Sequence, residues 1–315
     1  MSLFHLTIFQ NAVNLFTLRM HAHLALGDSA AAYADFTEGF QAYRALVEEP
    51  TLLNGLVRIS VLAVLVGGIG DGLTDHAWKE AELRKLDADL ETVRIWEDYR
   101  RAFASERGFG NSINGDYVAM FPWKRAREIS SIPGLPGFSG PPIKFGVALL
   151  FPNRLFRDNQ LRHNRYLDEL LDRINEQGTT YDHDRATPSD ADHLEGLDEF
   201  WFAVFKVSAK VFSLVGQKYV FVQTRLDLGR HAIALERFRI ARGAFPEKLT
   251  ELVPDFIAAL PDDLYSSKPM IYRRKESGGF FLYSVGSNRA DDGGVTGGKG
   301  SEQNQPDWVW PYSRD

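Results

Sequence analysis

The last third of the chain changes pattern in a way that few folds accommodate. Within Arg225 to Arg242, the apolar residues Leu228, Ala232, Leu235 and Phe238 recur every three or four positions, as on the buried side of a helix. The run stops at Gly243, which can take the left-handed backbone position that closes a helix, and Pro246 then directs the chain out of it. PEKLTELVP follows, with a short apolar patch in Leu249, Leu252 and Val253, and Pro254 and Pro261 confine the next link. Two aromatic runs, Met270 to Arg273 and Phe280 to Val285, are short enough to pair as strands around a Gly278-Gly279 turn. Trp308 to Trp310 is a candidate third strand beyond a glycine- and aspartate-rich stretch from Gly286 to Asp307. A small antiparallel sheet on a long helix buries one aromatic face, so the expected fold class is α+β.

Upstream the pattern is mainly helical. Apolar residues recur at helical spacing from Leu6 to Leu26, Gly27-Asp28 breaks the run, and Tyr33, Phe36, Phe40 and Tyr43 then share one side of a second helix. No second copy of this hairpin occurs at a period of about 34 residues, so the chain is not read as a helical repeat. Pro50 can open a third helix that Gly67 to Gly72 would end. A charged helical region from Thr74 to Glu106 points Trp78, Leu83, Leu86, Leu90, Val93 and Trp96 inward, with a candidate break near Asp87 to Asp89. Lys79, Glu80, Glu82, Arg84 and Lys85 read as its wet face. The character changes at Gly108, and the prolines and glycines of residues 133–152 deny a continuous helix. Helix returns over Asn153 to Glu176, with Leu155, Leu161, Tyr166, Leu170 and Ile174 as its apolar side, and Gly178 closes it. A polar, acidic stretch from Tyr181 to Gly196 precedes an aromatic helical region from Leu197 to Arg242. The expected division is a mainly helical domain, 1–196, and a long aromatic helix with its α+β module, 197–315.

The formal net charge of −6 gives no general electrostatic reason to bind nucleic acid or an anionic membrane. The absence of cysteine excludes disulfides, thiolate metal sites and a cysteine nucleophile. The first residues do not read as a signal peptide, although MSL is compatible with a native N-terminus that began earlier and carried an anchor. The most apolar stretch, Leu56 to Ile69, contains Arg58 and is short for a bilayer, so it reads as a buried helix and no transmembrane segment is expected.

Three pieces of the final third, AIALERFRIARGAFPEKLTELVP, ALPDDLYSSKPMIYRR and GGFFLYSVGSNRADDGG, followed by PDWVW, give Arg225 to Asp315 a resemblance to a known family. In that order the region resembles the C-terminal part of the major pseudopilin of type II secretion, and pilin-like modules of bacterial envelope proteins. The resemblance covers less than a third of the chain. It implies a calcium site in the loop after the last hairpin, with Asp291 or Asp292 matching the aspartate beside the glycine turn and Asp307 matching the acidic residue before the last strand. Backbone carbonyls and water would complete calcium's six to eight oxygen ligands. Two departures stand against a full transfer: the loop is expanded by VTGGKGSEQNQ, and a helical domain stands where pseudopilins have a single apolar N-terminal helix.

The residues do not assemble a catalytic signature. His183 and His193 lie among aspartates, but their spacing is not HExxH. His21 and His23 fall on different helical faces. No serine has the GxSxG setting, and GGVTGGKGS is an imperfect likeness of a phosphate loop. Glu236 with Glu247, or Asp262 with Asp263, cannot be promoted to a glycosidase pair from sequence alone. Arg237, Arg239 and Arg242 have a simpler explanation in the helix dipole. The expectation is therefore a non-enzymatic, envelope-associated or periplasmic module that binds a protein or peptide, with no required cofactor. The alternatives are a hydrolase or lyase whose cleft is walled by residues 133–152 and the acidic histidine loop, and a cytosolic scaffold.

Overall fold

The computed structural model describes residues 4–46, 51–119, 153–183, 203–276, 278–295 and 306–310. The helices are α1 (Phe4–Ala25), α2 (Ser29–Ala45), α3 (Leu52–Thr74), α4 (Glu80–Glu91), α5 (Ile95–Ala119), α6 (Asn153–Leu171) and α7 (Ala203–Arg242). A 3-10 turn, Leu249–Leu252, leads to short strands, which among the described residues are β1 (Asp262–Asp263), β2 (Lys268–Pro269), β3 (Ile271–Arg274), β4 (Phe280–Ser284) and β5 (Trp308–Val309). The chain is α+β, mostly helical with a small antiparallel sheet near its end. Two compact units are formed by segments that alternate in sequence. One comprises Met1–Asp98, Glu176–Tyr181 and Lys218–Asp315, and the other Tyr99–Asn175 and Asp182–Gln217.

In the first unit, Asp28 caps α2 by accepting from the Ala31 N–H, and Phe36, Phe40 and Tyr43 stack in sequence along the buried side. Helix α3 opens on Thr51, whose side chain accepts from the Asn54 N–H, and not on Pro50, which lies outside the described residues. It also runs through the glycines expected to end it. Those glycines are sites of close approach: a Cβ on Gly70 would lie 2.9 Å from the Trp310 ring, and one on Gly68 or Gly72 would collide with Met20 or Trp78. By length and composition α3 could cross a membrane; here Ile59, Leu62, Leu65, Val66 and Ile69 are buried. Arg58, its lone interior charge, pairs with Asp98 and donates to the Tyr43 carbonyl at 3.1 Å.

The charged region from Thr74 to Glu106 is two helices, and the break comes after Glu91, not at Asp87 to Asp89. Asp87 and Asp89 stay in the helix because they face cations and hydroxyls, Arg230 at 3.0 Å and Tyr33 at 2.8 Å. Leu83, Leu86 and Leu90 are buried as their spacing implies, while Glu82, expected on the wet face, is buried and accepts from the Ser29 hydroxyl at 3.2 Å.

The sheet has the order β3-β4-β5, antiparallel throughout, with Tyr272 opposite Leu282 and Ser284 opposite Trp308. The expected third strand therefore forms. A separate two-stranded ribbon, β1-β2, was not anticipated and pairs Asp263 with Lys268. Gly243 has φ of 81° and its N–H bonds the Arg239 carbonyl, closing α7. Phe245 meets Phe280 edge to face, and Trp308 meets both Phe221 and Tyr265 the same way, so aromatic rings from α7, its exit and the sheet share one core.

In the second unit, α5 continues through Gly108 to Ala119. Tyr166 and Leu170 of α6 are buried, but Leu161 is exposed, which places it off the apolar side assigned from spacing. Phe103 packs on Phe212, which also meets His163 edge to face. Residues 133–152, His193 and Trp201 lie outside the described residues, as does most of the acidic histidine loop.

Candidate functional site

The candidate calcium ligands gather in one loop. The chain leaves β4, turns through Gly286, Arg289, Gly293 and Gly294, all at positive φ, and re-enters the sheet at Trp308, just after Asp307. Asp307 is fully buried, and its two carboxylate oxygens accept from the backbone N–H groups of Asp292 at 3.4 Å and Gly294 at 2.8 Å. Asp291 Oδ1 accepts from the Tyr283 hydroxyl at 2.8 Å and the Gly293 N–H at 2.9 Å. These donors, the backbone N–H first, hold the Asp291 carboxyl below the usual carboxylate range. Asp292 Oδ2 accepts from the Asn288 amide at 2.6 Å. The three aspartates thus staple the loop. Among the described residues no group of three or more His, Asp or Glu takes up a metal-holding arrangement. Calcium at this loop would compete with those donors or use Asp291 Oδ2, Asp292 Oδ1 and carbonyl oxygens.

Asp263 is a heavily bonded acid of the module. Only 1% exposed, it accepts from the Tyr265 N–H, the Ser266 and Ser284 hydroxyls and the Val285 N–H, at 2.8 to 3.2 Å. It ties the ribbon to the end of β4. Its bond to the N–H two residues on is an Asx turn, which an Asp followed by polar turn residues can signal; the bonds to Ser284 and Val285 span more than twenty positions and carry no local signal.

A second cluster forms where α3 ends. His76 sits at φ of 52°, in the position after the helix that glycine occupies most easily, with its N–H on the Leu73 carbonyl and the Ala77 N–H on the Gly72 carbonyl. Its Nδ1 lies 3.1 Å from both carboxylate oxygens of Glu236 on α7. Glu236 is fully buried and is also gripped by Arg239, through Nε at 2.9 Å and a terminal nitrogen at 2.6 Å. A carboxylate in this place fixes the imidazole tautomer and orientation. Glu247, by contrast, pairs with Arg274, so the two glutamates do not form an acid pair. Arg237 and Arg239 serve specific carboxylates, Glu80 and Glu236, rather than the helix dipole alone.

Helix α7 also buries Asp227 and His231, one turn apart. His231 Nδ1 donates to the Asp227 carbonyl at 2.7 Å, while its Nε2 has no hydrogen-bond partner among the described residues. Burial first, and the Arg230 charge, depress its pKa to about 4, against the backbone bond and Asp262. Burial first, then Asp263, raises Asp227 to about 7, against the Gln223 amide at 3.0 Å and Arg230. Both shifts favour the uncharged forms. His21 and His23 lie beside different aspartates, Asp71 and Asp35, and share no site.

Comparison with family models, curated proteins and solved structures finds no match to this chain.

Proposed function

We propose that the chain is a non-enzymatic, envelope-associated or periplasmic module that binds a protein or peptide, with a helical body carrying a pseudopilin-like C-terminal part. The observation that supports this reading is the order of that part: a long helix closed by Gly243, a proline-bounded 3-10 turn, and an antiparallel sheet whose last strand is joined through a loop stapled by Asp307. The side chains assigned by resemblance to an ion, Asp291, Asp292 and Asp307, share this one loop, so calcium enters the proposal as an accessory to its order. The buried Glu236 of α7 is held by Arg239 and His76, and His231 Nδ1 by the Asp227 carbonyl, which fits a scaffold for presenting surface more closely than a reacting centre. Crosslinking in bacterial envelope fractions, followed by identification of what is attached, tests the reading. A specific envelope partner is expected; no partner together with reproducible turnover of a small molecule overturns it, and a partner found only in the cytosol favours a scaffold there.

A further inference from the structure

The sheet ends on β3, and a row of that strand's backbone groups faces away from β4. Trp310 donates its N–H to the Leu282 carbonyl at 2.8 Å, so the main-chain groups of Leu282 point to the β5 side. Tyr272 stands opposite Leu282, and in an antiparallel ladder its own N–H and carbonyl then point the other way. The far end of the strand agrees: Lys275 donates to the Gly279 carbonyl at 2.8 Å, which turns Arg274, one residue back, outward. Among the described residues nothing bonds to the outward N–H and carbonyl groups of Tyr272 and Arg274. The strand is also held in place, since the Tyr272 hydroxyl donates to the Pro246 carbonyl at 2.7 Å and Arg274 pairs with Glu247.

Charge selects what can pair there. From Lys268 to Lys275 the chain carries four cations and no acid, in a protein of net charge −6. A second copy's β3 laid on this edge would set arginines and lysines together, which is how edge strands avoid pairing with themselves. An extended acidic segment gains from the same charges. We infer that the outer edge of β3 is a strand-addition site for an acidic, extended segment of another protein. Its main chain completes the ladder at Tyr272 and Arg274. Asp or Glu at two of its positions, separated by one residue and so on one face, lie beside Arg273 and Lys275. The Arg273 guanidinium is half exposed and spends one nitrogen on the Tyr283 hydroxyl and Asp291, leaving Nε and the other terminal nitrogen for an incoming carboxylate. The inference deepens the reading of a protein- or peptide-binding module and rests on it.

The probes are a fluorescein-labelled peptide of about eight residues that alternates Glu with Val, and its Lys counterpart. In anisotropy titrations with the full chain, the Glu peptide should bind with a Kd on the order of tens of micromolar, as a contact this small implies, and the Lys peptide should not bind. In amide exchange followed by NMR, the Glu peptide should slow Tyr272 and Arg274 and leave Arg273, whose N–H is directed to β4, unchanged. Arg273→Glu should weaken binding about fivefold. Arg274→Gln and Arg274→Pro both lose the cation, but only proline loses the outward N–H, a loss an edge strand tolerates. The proline variant should therefore bind about fivefold more weakly than the glutamine variant, with matching circular dichroism spectra. No binding of the Glu peptide, equal binding of the Lys peptide, equal affinities for the two Arg274 variants, or Tyr272 and Arg274 exchange that slows with protein concentration alone would each overturn this site. An envelope adduct in the crosslinking experiment without Glu-peptide binding would remove the β3 edge and keep the wider reading, so the two fail separately.

Discussion

His76 Nδ1 stands 3.1 Å from both oxygens of the fully buried Glu236 carboxylate, across 160 residues of sequence. The bond gives a reason for a non-glycine residue at a left-handed position. His76→Ala removes the ring but keeps the Cβ, and His76→Gly removes both. The glycine variant should therefore be the more stable of the two by about 1 kcal/mol, with both below the parent protein. Glu236→Ala should cost more, about 3 kcal/mol, since it strips the partner from Arg239 as well. Urea unfolding midpoints at neutral pH check the ranking.

Arg58 and Asp98 form a buried pair whose removal should be asymmetric. Either Arg58→Met or Asp98→Ala leaves the other charge without its partner, at a cost of about 3 to 5 kcal/mol. Replacing both by apolar residues should cost less than the worse single change, because no uncompensated charge remains. A double-mutant cycle by denaturant unfolding measures the coupling.

Asp227 and His231 predict a pH signature that cancels in the parent protein. Asp227, with its folded pKa raised to about 7, contributes stability that is fully present below its unfolded value and is lost as pH rises toward 7. His231, depressed to about 4, contributes stability that is present above its unfolded value and is lost as pH falls from 6.5 toward 4. Over that shared window the two slopes oppose, and the pair adds little net dependence. Asp227→Asn should expose the histidine slope, so stability rises with pH; His231→Gln should expose the aspartate slope, so stability falls with pH. Parallel pH profiles for the two variants would contradict the burial of the pair as neutral groups.

Asp307 accepts two backbone N–H groups of the loop, so Asp307→Ala should lower stability by about 1 to 3 kcal/mol and open the loop to protease. If the loop also holds calcium, a chelator should lower the melting temperature of the parent protein and added calcium should restore it, with no such response in Asp307→Ala. Equal melting temperatures with chelator and with calcium would remove calcium from the account.

The helices and the sheet were legible because their signals are local. The spacing of Phe36, Phe40 and Tyr43 and the turn at Gly278-Gly279 each sit within a few residues. Where the reading and the structure differ, a distant partner decides. Gly68, Gly70 and Gly72 read as a helix end, but Met20, Trp310 and Trp78 pack into the space they leave. Glu82 read as wet until Ser29, 53 residues away, was brought to it. The loop aspartates could be grouped from sequence because they lie close together, whereas His76 with Glu236 could not.

The central claim is that this chain binds a macromolecular partner at the bacterial envelope, and site-specific photo-crosslinking in living cells tests it most directly. With the crosslinker at the exposed Phe281 of the sheet or the exposed Val295 of the loop, the account predicts a discrete adduct of the C-terminal module with an envelope protein or peptide. The opposite result is no adduct at either position, with the chain in the soluble cytosolic fraction and the purified protein turning over a small molecule.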